Sequence, residues 1–275
     1  MFKPTTKITR TIRSEQVLTA FIEVVRKNLP LELKNTRITT EDILYVLAYA
    51  NVHRLSIESA CQELRDAPSG NRLREVLAEA LPDRAGMQRI LNRIFRQQRH
   101  PSVWKCKRDF NLAIDLTLIP YHGQPYEDKK EIVRSAPKSG TTHFHGYATV
   151  SIVRDHRPYV VALRFIEYGE EMADIVRWRL KRLQSLKFRL RRVFLDKGFC
   201  SKPVFKVLDQ HKVSFVTPIP VRGKSGGVRA LFQGKSRKTT YTFNRPKHGK
   251  YMVQAVVVQR YSKGRYARHK SKWFA

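Results

Sequence analysis

The chain has 275 residues, 41% of them hydrophobic, which is enough for one large domain with an appendage or for two domains with separate cores. Its 54 lysines and arginines against 23 aspartates and glutamates give a net charge of +31. That balance excludes an ordinary enzyme of small metabolites and points to a polyanionic partner, because each neutralised phosphate releases counterions.

Cys61, Cys106 and Cys200 make no C-x-x-C pair, which argues against both a disulfide framework and a thiolate zinc site and fits a reducing cytoplasm. The stretch from Met1 to Arg13 is basic and polar, without the apolar run of a secretory signal. No segment approaches the roughly 20 apolar residues of a membrane span.

Residues 14 to 98 read as helices. Ser14 is placed to cap the first, whose apolar stripe is Leu18, Phe21, Ile22 and Val25. A second begins near Thr40 with Glu41 and Asp42 in its first turn. Ser56 precedes a third that carries Ile57, Ala60, Cys61 and Leu64, and a turn at Pro68-Ser69-Gly70 leads to a fourth over about 71–81. A fifth follows from about Asp83 to Arg99. Short helices and short turns in a basic chain suit a helix-turn-helix DNA reader, with Arg72 and Arg74 near the start of the recognition helix. A plain helical docking or dimerisation module fits the same pattern.

After His100-Pro101 the period changes from helix to strand. The run Leu112 to Pro120 sets Asp115 and Thr117 on one face and Leu112, Ile114, Leu116 and Leu118 on the other. A polar loop, 121–142, contains Glu127, Asp128, Lys129 and Lys130, and two strands follow, Tyr147 to Val153 and Tyr159 to Ile166. A long helix is expected over about 170–186, with Met172, Ile175, Val176 and Leu183 inside and Arg177, Arg179, Lys181 and Arg182 outside. The run Val193-Phe194-Leu195 reads as a buried parallel strand that ends in Asp196. Ser201 heads a further helix, and Val213 to Thr217 is a last buried strand. The fold class is therefore α/β, a mixed sheet whose first three strands are antiparallel and whose later ones are parallel through right-handed crossovers. From Pro218 onward glycines and apolar runs indicate a β-rich segment, and no Asp or Glu follows Asp209.

This strand order sets Asp115 and Asp196 side by side. An unpaired carboxylate on an apolar strand is costly to bury, so it needs a counter-charge, water or a metal. Two carboxylates at one cleft are a hard oxygen site for Mg²⁺ or Mn²⁺, and two such ions about 4 Å apart support attack on a phosphodiester. Charge supplies the substrate class and the acids supply the catalyst.

The motifs Ala113-Ile114-Asp115-Leu116-Thr117 and Val193-Phe194-Leu195-Asp196-Lys197-Gly198-Phe199 resemble the first two acidic motifs of the DDE transposases of prokaryotic insertion sequences, which share the ribonuclease H-like fold of retroviral integrases. The resemblance covers about Lys105 to Ala275. It implies a ribonuclease H-like core over 105–218, a basic β-rich insertion over 219–275 and a helical DNA-binding region over 1–104. It further implies that Asp115 and Asp196 are catalytic metal ligands for two Mg²⁺ or Mn²⁺ ions, and that Thr117, Gly198 and Phe199 shape the site. Its partners would be double-stranded DNA at element ends and targets, and a second protomer in a homodimer on paired ends, within the cytoplasm at the nucleoid. The family also requires a third acid, a Glu on a later helix within a Tyr, Arg, Glu, Lys signature. Its absence here leads to the expectation of a chain truncated before that residue and catalytically impaired. A non-catalytic DNA-binding remnant and a metal-dependent nuclease of the same fold remain open as alternatives.

Candidate DNA contacts are Arg72, Arg74, Lys129, Lys130 and Lys197, together with Arg260, Arg265 and Lys272, which alternate with aromatic residues in the acid-free tail. His143 and His145 share a strand face, a spacing that can bind metal but that without further ligands reads as a polar surface.

Overall fold

The structure, a computed structural model, describes all residues except 1–12, 35, 99–108, 124–129, 155–156, 186–188, 223, 246–248 and 264–268. Side chains are further left undescribed at 154, 157–158, 184–185, 245, 260–263 and 269–274. The chain divides into two compact units, Met1–Gln98 and Arg99–Ala275.

The first unit contains α1 (Ser14–Asn28), α2 (Thr40–His53), α3 (Ile57–Glu63), α4 (Gly70–Ala80) and α5 (Arg84–Gln97). Four of these start at a side-chain cap, where an oxygen of Thr39, Ser56, Ser69 or Asp83 accepts from an otherwise orphaned helix N–H. Ser14 does not do this at α1. It is the first helical residue, and Arg13 stands at the cap position. Ile43, Val46, Ala60, Leu73, Val76 and Leu77 build the core of this unit.

The second unit contains β1 (Phe110–Pro120), β2 (Ile132–Lys138), β3 (Thr141–Arg154), β4 (Arg157–Phe165), α6 (Met172–Ser185), β5 (Leu190–Leu195), α7 (Lys202–Gln210), β6 (Phe215–Val216), β7 (Arg237–Arg245), β8 (Gly249–Lys263) and β9 (His269–Phe274). A six-stranded sheet runs β2-β3-β1-β5-β6, with β4 also on β3. The β1–β3 and β3–β4 pairs are antiparallel, and the β1–β5 and β5–β6 pairs are parallel. An antiparallel run of three strands whose first strand then takes a parallel neighbour is the ribonuclease H-like order. The strands β7, β8 and β9 form a separate three-stranded sheet. One cluster joins Leu112 and Ile114 of β1, Val150 of β3, Val193 and Leu195 of β5, and apolar residues of α6 and α7, so these helices bury one face of the sheet.

Further readings from the sequence change. The segment 121–142, expected to be a loop, contains β2, an edge strand with only Ile132 buried. Its strand character comes from pairing: Lys138 lies opposite Thr141 across Ser139 and Gly140, whose φ values of 52° and 76° make the two-residue hairpin turn that matches strand twist. Pro137 is tolerated because an edge strand has a side without ladder bonds.

Arg179 was expected outside α6 and is fully buried, at 0% exposure. It lies four residues after Ile175 and four before Leu183, on the apolar stripe, so helix geometry overrides residue type. Its guanidinium donates to the Ala148 carbonyl and lies 4.8 Å from the centre of the Trp178 ring. Burial, with Arg164 nearby, lowers its pKa to about 9. Arg164 pairs with Glu170 and stacks on the same ring.

At the junction of α7 and β8, the Tyr251 hydroxyl donates to Asp209. Burial and that carboxylate hold the phenol above its ordinary value of 10.0. The folded state then keeps a proton that the unfolded state loses, so this stabilisation is complete below the ordinary value and declines as pH rises past it. Urea titrations in alkaline buffers are expected to show a shallower loss of stability for Tyr251→Phe than for the parent, and equal slopes would refute the assignment.

Candidate active site

β1 lies at the centre of the sheet between β3 and β5, and each neighbour fixes part of the site. On the β5 side the last register pair is Ile114 with Leu195. Asp115 and Asp196 are the next residue on each chain, so the two acids stand beside each other on parallel neighbours. Ile114 and Leu195 are 1% and 4% exposed, whereas both aspartates are exposed. The alternation of the pleat thus carries both carboxylates to the side of the sheet opposite the helix-covered core. With strands about 4.8 Å apart, the two side chains are close enough to share one cation or a pair of cations.

Among the described residues neither carboxylate has an ion-pair or hydrogen-bond partner. Both are therefore available, and the neighbouring negative charges gain from an added cation. On the β3 side Asp115 is opposite Thr149 and Thr117 is opposite Tyr147, which makes a half-exposed polar and aromatic surface beside the acids.

Asp196 leads into a 3₁₀ turn, Lys197–Phe199, and its backbone carbonyl accepts from the Phe199 N–H at 3.0 Å and from the Thr217 hydroxyl at 3.2 Å. Phe199 turns inward to 0% exposure in the main core, while Lys197 and Gly198 are exposed. A Cβ at Gly198 would stand 3.9 Å from the Asp196 Oδ2, so the glycine leaves the approach to that oxygen bare.

The other residues singled out from the sequence are dispersed. Arg72 and Arg74 are exposed on α4 of the first unit, where Arg72 pairs with Glu75 at 3.0 Å and Arg74 with Glu58 at 3.3 Å. Lys130 is exposed just before β2. Arg260 and Lys272 are register partners on β8 and β9, with side chains outside the described residues. Lys129 and Arg265 lie outside them entirely. His145 packs edge-on against Tyr121, with ring centres 5.0 Å apart, four residues along β3 from Thr149. Among the described residues no three His, Cys, Asp or Glu side chains form a metal-holding group, at the histidines or at the aspartates.

A family model described as "Transposase DDE domain" matches residues 111–272, more than half of the chain. The chain belongs to the DDE transposase family. Membership implies an enzyme of the transposase kind, in a family that generally uses divalent metal ions. The matched span begins in β1 and ends in β9, so it takes in both aspartates and the small sheet.

Comparison with curated proteins gives no match. Among solved structures, the chain is similar to a piggyBac transposase in a synaptic complex with hairpin DNA, at 13% identity and a TM-score of 0.40 over 92% of this chain and 54% of that one. The chain thus spans about half the length of that relative. For this DDE transposase the fold rests on strand order rather than on that likeness. No helix among the described residues is long and apolar enough to cross a membrane.

Proposed function

We propose that this DDE transposase acts on double-stranded DNA, with Asp115 and Asp196 holding the divalent ions, Mg²⁺ or Mn²⁺, that serve phosphodiester cleavage and strand transfer at the ends of an insertion sequence. The observation that carries this reading is the register: two exposed acids, one on the central strand and one at the end of its parallel neighbour. The donor set fits, since unpartnered carboxylate oxygens are the ligands hard cations prefer. Two such ions, when bound, activate a water or 3′-hydroxyl and stabilise the leaving oxygen.

The protein's own groups position and attract. β1 and β5 hold the carboxylates at one strand spacing, and Phe199 anchors the turn that carries Asp196. Thr117 and the bare Gly198 leave room for a backbone phosphate, and exposed Lys197, next to Asp196, favours its approach. In this reading residues 1–104 supply DNA binding, 105–218 the catalytic core and 219–275 a basic surface that meets nucleic acid through Arg260, Arg265 and Lys272. Two protomers act on paired ends, in the cytoplasm at the nucleoid.

One observation favours a second reading. Among the described residues no third acid joins the pair. The chain by itself is then severely impaired in strand transfer and acts as a DNA-binding protein able to occupy element ends. A nuclease of the same fold would differ in using water as the sole nucleophile.

Incubation with labelled duplex DNA tests these readings. Binding is expected to fall steeply as salt rises, since several phosphates are neutralised together. Salt-insensitive binding would remove the basic-surface reading, and Mn²⁺-dependent nicking that needs both aspartates would remove the impaired one.

A further inference from the structure

The strands β7 and β8 form an antiparallel ribbon in register from Arg237 opposite Val257 to Arg245 opposite Gly249. The pleat sorts its residues onto two faces. Tyr241 and Phe243 of β7 and Val253 and Ala255 of β8 turn inward, where they pack with Ile219 and Val228. The Phe243 and Tyr251 rings also meet Phe205 of α7, so this face is anchored to the rest of the second unit.

The opposite face is open. There β7 carries Lys238, Thr240, Thr242 and Asn244, and their register partners on β8 are Val256, Gln254, Met252 and Lys250. All are exposed, Met252 at 70% and Val256 at 55%. Among the described residues no hydrogen bond or ion pair engages the polar side chains of this face.

Three properties of the face select its occupant. An ordinary surface mixes both charges, whereas this one carries two lysines and no acid, in a sequence with no acid after Asp209. It presents the amides of Asn244 and Gln254, which match the N6 donor and N7 acceptor of adenine, and the hydroxyls of Thr240 and Thr242, which serve any base. It leaves a methionine and a valine in water, and thymine methyl groups would cover them. An apolar protein partner would bury the amides and hydroxyls unpaired, and a second copy of the face would set lysine against lysine. Size agrees as well: two strands about 4.8 Å apart fit a major groove about 12 Å wide.

We propose that this face of β7 and β8 enters the major groove of duplex DNA and reads its bases. Asn244 and Gln254 each hydrogen-bond an adenine edge, Met252 and Val256 pack on thymine methyls, and Lys238 and Lys250, at opposite ends of the ribbon, meet the flanking phosphates. The proposal deepens the DNA reading above and rests on it, giving the β-rich segment sequence recognition apart from the metal chemistry of Asp115 and Asp196.

Selection of randomised duplexes on the full chain, at a salt concentration that suppresses non-specific binding, tests this. The expected result is an enriched motif containing adenines and thymines. Asn244→Ala and Gln254→Ala should each flatten the preference at one position and weaken binding of the selected duplex about tenfold, with affinity for an unrelated duplex unchanged. Replacing that adenine by 7-deazaadenine, which lacks the N7 acceptor, should weaken the parent by a similar factor and the matching variant no further. Uracil in place of thymine should act likewise with Met252→Ala. These positions are exposed, and melting temperatures check that each variant is folded. Three results would overturn the ribbon assignment while leaving the DNA reading in place: salt-sensitive duplex binding without a motif, a motif unchanged by all three substitutions, or one that responds only to Arg72→Ala and Arg74→Ala. A parent with no salt-sensitive duplex binding would overturn both.

Discussion

Asp115→Asn and Asp196→Asn are each expected to abolish divalent-metal binding in practical terms, weakening Mn²⁺ affinity beyond the roughly 10–100-fold that loss of a mere supporting group around a metal costs. Titration calorimetry, or the quenching of the free Mn²⁺ signal in electron paramagnetic resonance, reads this directly. Thermal melting adds a readout that separates a ligand from a structural acid. Neither aspartate has a partner among the described residues, and the two stand side by side, so removing one charge should leave the metal-free melting temperature unchanged or raise it.

In the parent, saturating Mn²⁺ should stabilise the fold by about 2.7 kcal/mol at a concentration 100 times the dissociation constant, and the variants should lose most of that gain. A fall in metal-free stability with metal affinity intact would show the acids to be structural. Any Mn²⁺-dependent nicking of duplex DNA should disappear in both variants.

Phe199→Ala is expected to lower unfolding free energy by about 3–5 kcal/mol, the usual cost of emptying a fully buried aromatic site. Phe199 is 0% exposed and belongs to the cluster that joins the sheet to α6 and α7. It also ends the turn that begins at Asp196, so the alanine variant should lose metal affinity at temperatures where it is still folded. Phe199→Leu, which keeps most of the apolar contact, should recover most of both. Urea denaturation with and without Mn²⁺ measures the two effects. A loss below about 1 kcal/mol would mean that the neighbours close the cavity.

The sequence revealed the central strands because their burial is written locally. Leu112 and Ile114 alternate with Ala113 and Asp115 along β1, and Val193 to Leu195 form a short apolar run that ends in an acid. The same pattern pointed to both aspartates as neighbours, since a strand that returns parallel to β1 through a helix has few places to go. The strand β2 was hidden because it is polar, contains Pro137 and owes its conformation to β3. Arg179 was misassigned because its charge outweighed its position on the α6 stripe, and only the Ala148 carbonyl and the Trp178 ring explain how it is accommodated. The last strand was expected over Val213 to Thr217 and is paired only at Phe215–Val216.

The hydrogen-bonded ladder between β1 and β5 also acts as a ruler. The interval between the two acids is one step across a parallel pair, a length set by peptide geometry rather than by side-chain packing. Surface loops, the helical unit and the small sheet can therefore change without altering that interval, provided the two strands that hold the measure are kept.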